Sequence, residues 1–218
     1  MMLKAIIFDL DGTLANTDPI HYQTWVDVLK NYDLEINPDF YKAKISGRLN
    51  PDIVRDILPQ LSPEEGRILA DQKEAEFRQI AGNLKPLPGL IKLLAWIEKQ
   101  GLQTAIVTNA PRENAAFMLK ALNLVDYFQT LIVAEDVGVG KPDPKPYQVC
   151  LQQLNISPQD AIVFEDSTSG IRSAVAAGIT TIGVASTHDP HILKNVGATY
   201  VIEDVNNPQL WQDLGNCK

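Results

Sequence analysis

Only two cysteines occur in the 218 residues, Cys150 and Cys217, and they have neither metal-ligand nor redox spacing. That argues against a disulfide framework or a cysteine-held metal and reads as two free thiols in a reducing compartment. Basic residues are also in short supply: 19 Lys and Arg stand against 27 Asp and Glu, a formal net charge of −8. Proteins that grip nucleic-acid backbones or anionic membrane surfaces carry basic patches, so neither partner is expected. No apolar run approaches the length of a membrane span. The first one, Ala5–Phe8, is too short for a secretory signal and runs straight into acids. These absences leave a cytoplasmic protein, expected to act as a monomer on a small molecule.

What is present is enough for a packed core, with 45% hydrophobic residues. Short apolar runs alternate with amphipathic segments. Residues 4–8, 103–108, 130–134, 161–164 and 180–185 read as buried strands, and 88–101, 111–123, 144–155 and 168–178 as helices between them. Strand and helix in turn predict an α/β fold, a Rossmann-like parallel sheet with helices on both faces and a ligand site at the carboxyl ends of the strands. Residues 15–83 interrupt the alternation. Segments 17–32, 50–58 and 62–82 are charged and helical, and no strand pair is evident, so an all-helical domain is expected to be inserted after the first strand.

Polar clusters follow the strands. Asp9 and Asp11 end the first one, two residues apart and therefore able to share a face. Two carboxylates that close need a cation between them, or one must keep its proton. An acidic Asp-Gly turn is the plainer alternative. A calcium loop is not, because the third aspartate is missing and the twelfth position from Asp9 is Ile20. Thr108 and Asn109 follow the second strand, with Pro111 opening a helix, which makes either a phosphate cradle or an ordinary helix cap. Lys141 lies in GVGKPDPKPY (138–147), which lacks the spacing of a P-loop, and Glu165-Asp166 closes the strand 161–164. A parallel sheet would gather Asp9, Asp11, Glu165 and Asp166 around Lys141. One lysine cannot neutralise four acids, so a divalent cation is expected, and oxygen ligands favour Mg²⁺.

In their order, FDLDGTL (8–14), VTN (107–109), Lys141 in KPDP, and FEDSTSGI (164–171) resemble the haloacid dehalogenase superfamily of phosphotransferases. The insertion sits where the beta-phosphoglucomutase-like branch carries its cap, which divides the chain into a core of 1–14 plus 84–218 and a cap of 15–83. The resemblance implies that Asp9 is the nucleophile forming an aspartyl-phosphate, and that Asp11 is the acid and then the base. It implies that the Asp9 side chain, the Asp11 backbone carbonyl and Asp166 hold Mg²⁺, with Glu165 behind them or bound through water. Thr108, Asn109 and Lys141 would hold the phosphoryl oxygens. Asp11 argues against dehalogenation, since only an oxygen leaving group needs that second aspartate.

The same resemblance frames the cap. Thr17 and His21 match residues at the start of the mutase cap, His21 shares a helix face with Trp25, and Lys73 matches a mutase cap lysine. Asn50 stands where the mutase has its phosphate-gripping arginine, and Arg48 lies two residues early. An amide cannot replace a guanidinium fork for a dianion. A Mg²⁺-dependent phosphatase for small phosphorylated metabolites, chiefly sugar phosphates, is therefore expected ahead of a beta-phosphoglucomutase-type isomerase. A non-catalytic phosphate-binding module ranks last because both aspartates are present. His188 and His191 are expected at an exposed helix start, and Trp96 and Trp211 in the core.

Overall fold

The computed structural model describes residues 3–216, so Cys217 lies outside the described residues. Strand β1 (Ala5–Phe8) leads into four helices, α1 (Asp18–Lys30), α2 (Pro38–Lys44), α3 (Asn50–Ile57) and α4 (Pro63–Ile80). The chain then alternates through α5 (Leu90–Gln100), β2 (Gln103–Thr108), α6 (Arg112–Ala121), β3 (Thr130–Val133), α7 (Ala134–Val137) and α8 (Lys145–Leu154). It closes with β4 (Ala161–Glu165), α9 (Thr168–Ala176), β5 (Thr180–Val184), α10 (Pro190–Asn195), β6 (Tyr200–Ile202) and α11 (Pro208–Asn216). Among the described residues no helix is long and apolar enough to cross a membrane.

All described strand pairs are parallel, in the order β3-β2-β1-β4-β5-β6. β1 is central, and its apolar residues alternate between two buried layers. Ile6 and Phe8 join Ile106 and Phe164 on one face, while Ala5 and Ile7 join Val107 and Val163 on the other. A strand covered on both faces must be apolar throughout, which is why AIIF carries no polar residue. The sheet order reverses between β1 and β4, and such a switch point opens a crevice at the strands' carboxyl ends.

Helices α1–α4 carry a third apolar cluster of their own, with Trp25, Leu29, Tyr41, Ile53 and Leu69 in it. A capping box starts α4, where Ser62 accepts from the Glu65 N–H and the Glu65 carboxylate accepts from the Ser62 N–H. Phe77, near the end of α4, packs instead into the layer beneath the sheet. The two crossings between helices and sheet run side by side, where the Leu87 N–H donates to the Leu14 carbonyl at 2.8 Å.

The structure adds α2, α7, α11 and the edge strand β6 to the expected elements, and α10 is the helix whose start was expected at His188 and His191. β6 has only three residues, too few to show a period, and α2 has seven. Trp96 and Trp211 pack edge-to-face at 6.3 Å against the apolar layer, as expected of core aromatics. His191 is exposed at the start of α10, but His188 is half-buried, with its Nδ1 2.8 Å from the Thr187 hydroxyl.

Ile7→Ala is expected to cost about 2–5 kcal/mol, since it opens a cavity in the buried layer. Ile91→Ala, at a side chain that is 49% exposed, should stay within about 0.5 kcal/mol. Urea unfolding of both variants checks this; equal losses would contradict the placement of β1 at the centre.

Candidate active site

The register of β1 against β4 pairs Phe8 with Phe164. The ladder continues one residue further, where the Asp9 N–H donates to the Phe164 carbonyl at 3.0 Å. Asp9 therefore emerges beside Glu165 and Asp166, and one carboxylate oxygen from each lies within 4.8 Å of the others. Lys141, on the loop between α7 and α8, reaches between them. Its Nζ donates to Asp9 Oδ1 at 2.6 Å and to Glu165 Oε1 at 2.5 Å. Glu165 also accepts from the Tyr147 hydroxyl at 3.0 Å, and from the Ser167 N–H and hydroxyl at 3.2 and 3.1 Å. The Ser167 hydroxyl in turn accepts from the Gly170 N–H and caps α9. Asp166 accepts from the hydroxyls of Thr13 and Thr187. Gly12 is required at its place: its φ is +74°, and a Cβ there would stand 2.1 Å from Asp166 Oδ2.

Burial dominates the electrostatics. It pushes the Asp9 carboxyl up to about 8; the Lys141 ammonium pulls the other way, and the charges of Glu165 and Asp11 add to the rise. Asp166 rises well above the usual carboxylate range through burial and then the charges of Asp9 and Glu165. For Lys141, burial works against the charge, yet Asp9 and Glu165 outweigh it and hold the ammonium. Three buried acids against one ammonium leave an excess of negative charge that only protons or a further cation can relieve. The donors are all oxygens, which suits a hard divalent cation. Glu165 already accepts four hydrogen bonds, so Asp9 and Asp166 are the freer ligands.

Asp11 stands outside that group of three. Its half-buried carboxylate turns to the helical insertion, accepting from the Thr17 hydroxyl at 2.6 Å and facing His21 Nε2 at 3.2 Å. The other ring nitrogen of His21, Nδ1, lies 2.6 Å from Lys73 Nζ. Lys73 as an ammonium has only protons to give, so Nδ1 accepts and Nε2 carries the proton donated to Asp11. The His21 ring lies flat on Phe77 at 4.0 Å, which fixes its plane. Burial works against the Asp11 charge, but His21, Thr17 and Lys73 together hold its carboxyl below the ordinary value.

Thr108 and Asn109 end β2 on the same rim. The Thr108 hydroxyl accepts from the Ala110 N–H at 3.0 Å. The Asn109 side chain brackets the backbone of Lys141, accepting from its N–H at 2.9 Å and donating to its carbonyl at 3.2 Å. Its amide also reaches the Gly47 carbonyl of the insertion at 3.4 Å. The side chain expected to hold phosphate thus positions the lysine.

A cavity of about 750 Å³ separates sheet and insertion, with Asp9, Asp11, Thr108 and Lys141 on one side and His21, Arg48, Asn50 and Lys73 on the other. The Arg48 guanidinium donates to Asp56 Oδ2 at 2.5 Å and to the Lys44 carbonyl at 2.8 Å. Asn50 donates to Glu74 Oε1 at 2.6 Å. Sequence reasoning missed Glu74, Asn114, Tyr147 and Thr187. Tyr147 ends the GVGKPDPKPY segment and could have been found there. Glu74 lies in a charged helix where every acid looks solvated.

The profile of haloacid dehalogenase-like hydrolases matches residues 6–184. Over 208 residues the chain is 29% identical to the phosphorylated carbohydrates phosphatase of Thermotoga maritima, covering 92% of this chain and 94% of that one. Hexitol phosphatase A of Escherichia coli is 32% identical over 200 residues, with coverages of 90% and 89%. Among solved structures, beta-phosphoglucomutase from Clostridium difficile is similar with a TM-score of 0.87 at 25% identity, covering 99% of this chain and 98% of that one.

Asp9 and Asp166 bind protons more tightly folded than unfolded, so their contribution to stability is greatest at low pH and is lost as pH rises toward and through the raised values. In EDTA the melting temperature should therefore lose this contribution between pH 5 and pH 8. Added Mg²⁺ should raise it more at pH 8 than at pH 5, because protons no longer compete. A Mg²⁺ shift that is absent, or equal at both pH values, would contradict a cation site among these acids.

Proposed function

We propose that this chain, which belongs to the haloacid dehalogenase-like hydrolase family, is a phosphomonoesterase for small phosphorylated carbohydrates that works through an aspartyl-phosphate on Asp9. The observation that carries the reading is the buried Asp9–Lys141–Glu165 arrangement at the switch point of the sheet, with Asp11 poised beside it.

Lys141 holds one Asp9 oxygen by a hydrogen bond and so aims the carboxylate into the cavity. Asp9 attacks phosphorus, the P–O bond to the sugar breaks, and Asp11 gives its proton to the departing oxygen. At rest Asp11 is held ionised by its neighbours. The negative charge of an arriving phosphate raises its proton affinity and prepares it as the acid. Asp11 then takes a proton from the water that attacks the phosphoenzyme, which releases phosphate and restores Asp9. The Thr108 hydroxyl and the Lys141 ammonium meet the phosphoryl oxygens, and Asn109 keeps Lys141 in place. Asp9, the Asp11 carbonyl and Asp166 would hold Mg²⁺, with Glu165 behind them, and the ion would supply shielding of charge on the transferring group.

Residues 15–83 serve as the cap that closes over the sugar, and 1–14 with 84–218 as the core. A beta-phosphoglucomutase-type isomerase is the second reading, favoured by the Asp11, Thr17, His21 and Lys73 chain of hydrogen bonds. Hydrolysis takes precedence because Asn50, bonded to Glu74, offers an amide where a second phosphate would need a guanidinium, and Arg48 is paired with Asp56. A cytoplasmic monomer fits this reading, as does the buried free thiol of Cys150.

Asp9→Asn is expected to abolish phosphate release while circular dichroism stays native; near-native turnover would remove Asp9 as nucleophile. Asp11→Asn should lose about 10²–10⁴-fold in kcat for each proton transfer it served. A loss below tenfold would assign the proton transfers to another group.

A further inference from the structure

On the wall of the cavity opposite Asp9, α4 places Lys73 and Glu74 side by side and almost fully buried, at 1% and 5% exposure. Glu74 Oε1 accepts from Lys73 Nζ at 2.9 Å and from Asn50 Nδ2 at 2.6 Å, and Oε2 accepts from Asn114 Nδ2 of α6. Burial pushes the Glu74 carboxyl up, but Lys73, His21 and Asn50 outweigh it and keep the group ionised. Burial lowers the Lys73 pKa, with Glu74 beside it working the other way, so an ammonium deep in this wall depends on the anion of the chain that pairs with it. Nearer the mouth the same holds: Arg48 pairs with Asp56 at 2.5 Å, Arg67 with Glu64 at 2.7 Å, Arg78 with Glu113 at 3.0 Å, and Arg112 with Asp136. Each guanidinium that lines the cavity has an acid of its own.

A second phosphate on the substrate would need one of these cations. The buried one is the hardest to take. A dianion approaching Lys73 also faces the Glu74 carboxylate, 2.9 Å from the ammonium, and like charges set together in a dry wall repel strongly. An uncharged polyol meets no such penalty, because amides and a carboxylate offer hydroxyl groups good partners. Displacing Glu74 would also break the bond it accepts from Asn114 of α6, leaving Arg78 as the remaining partner of that side chain on α4.

We propose that Glu74 sets the substrate class: it keeps the cap wall neutral, so that the site accepts phosphomonoesters with an uncharged polyol tail and rejects those that carry a second phosphate. This inference rests on the phosphomonoesterase reading above.

The test compares phosphate release from fructose 6-phosphate and glucose 6-phosphate with release from fructose 1,6-bisphosphate and glucose 1,6-bisphosphate. p-Nitrophenyl phosphate, which has neither polyol tail nor second phosphate, serves as the reference. In the wild type, kcat/KM should be lower for each bisphosphate by about tenfold or more. Glu74→Gln should close that gap by about tenfold, chiefly through a lower KM for the bisphosphate. Glu74→Asp, which keeps the charge, should preserve the gap. If Glu74→Gln does not fold, Asn50→Arg carries the same expectation, because it adds an unmatched cation to the wall. Equal wild-type rates on both members of a pair would overturn the inference alone, as would a gap that neither Glu74→Gln nor Asn50→Arg moves. Hydrolysis of p-nitrophenyl phosphate without hydrolysis of either monophosphate would also overturn it, while leaving a phosphatase in place. No phosphate from any of the five compounds would overturn both readings.

Discussion

The ammonium of Lys141 lies between two buried carboxylates, 2.6 Å from Asp9 and 2.5 Å from Glu165. Taking such charges out of water costs several kcal/mol per ion, and only close pairing with further hydrogen bonds offsets it. Much of the surrounding structure supplies those bonds. Tyr147 and Ser167 complete Glu165, Asn109 fixes the Lys141 backbone, and Thr13 and Thr187 hold Asp166. One lysine still falls short of three acids, and that shortfall suits the cluster to a cation.

The sheet makes this crowding possible. Because β1 lies at the centre and its order reverses toward β4, the residues just past both strands share one crevice. The strands are buried on both faces, so the acids cannot turn away into solvent without dragging apolar residues out of the layers. Gly12 and Gly170 leave room for the carboxylates of Asp166 and Glu165, where any side chain would collide. The repulsion among the acids is thus held in place by the packing of the core.

Most of the core was legible in the amino-acid order. Apolar runs that end in Asp9, Thr108 and Glu165 announce both the strands and the edge at which they finish. His21 was legible as a cap residue one helical turn from Trp25, though not as the partner of Asp11. Less was legible where partners are remote. Asn50 and Glu74 are 24 residues apart, and Asn114 reaches Glu74 across 40. No local pattern separates the half-buried Asn50 and the buried Glu74 and Asn114 from a solvated helix face. Asn109 was legible as a site residue, but its work on the Lys141 backbone depends on a loop 32 residues away.

The insertion closes the site by two kinds of contact. Gly47 offers its carbonyl to Ser169 at 2.8 Å and to Asn109, and Glu74 accepts from Asn114. The first brings the insertion onto the loops that carry the acids, and the second closes the far wall. The proposed function rests on Asp9 as the group that attacks phosphorus, and one measurement addresses that directly. The enzyme is quenched during turnover, reduced with borohydride, and its peptides are mapped by mass spectrometry. Conversion of Asp9 to homoserine, lost when substrate is omitted, is the predicted result. Reduction at another residue, or none while phosphate is still released, would contradict it.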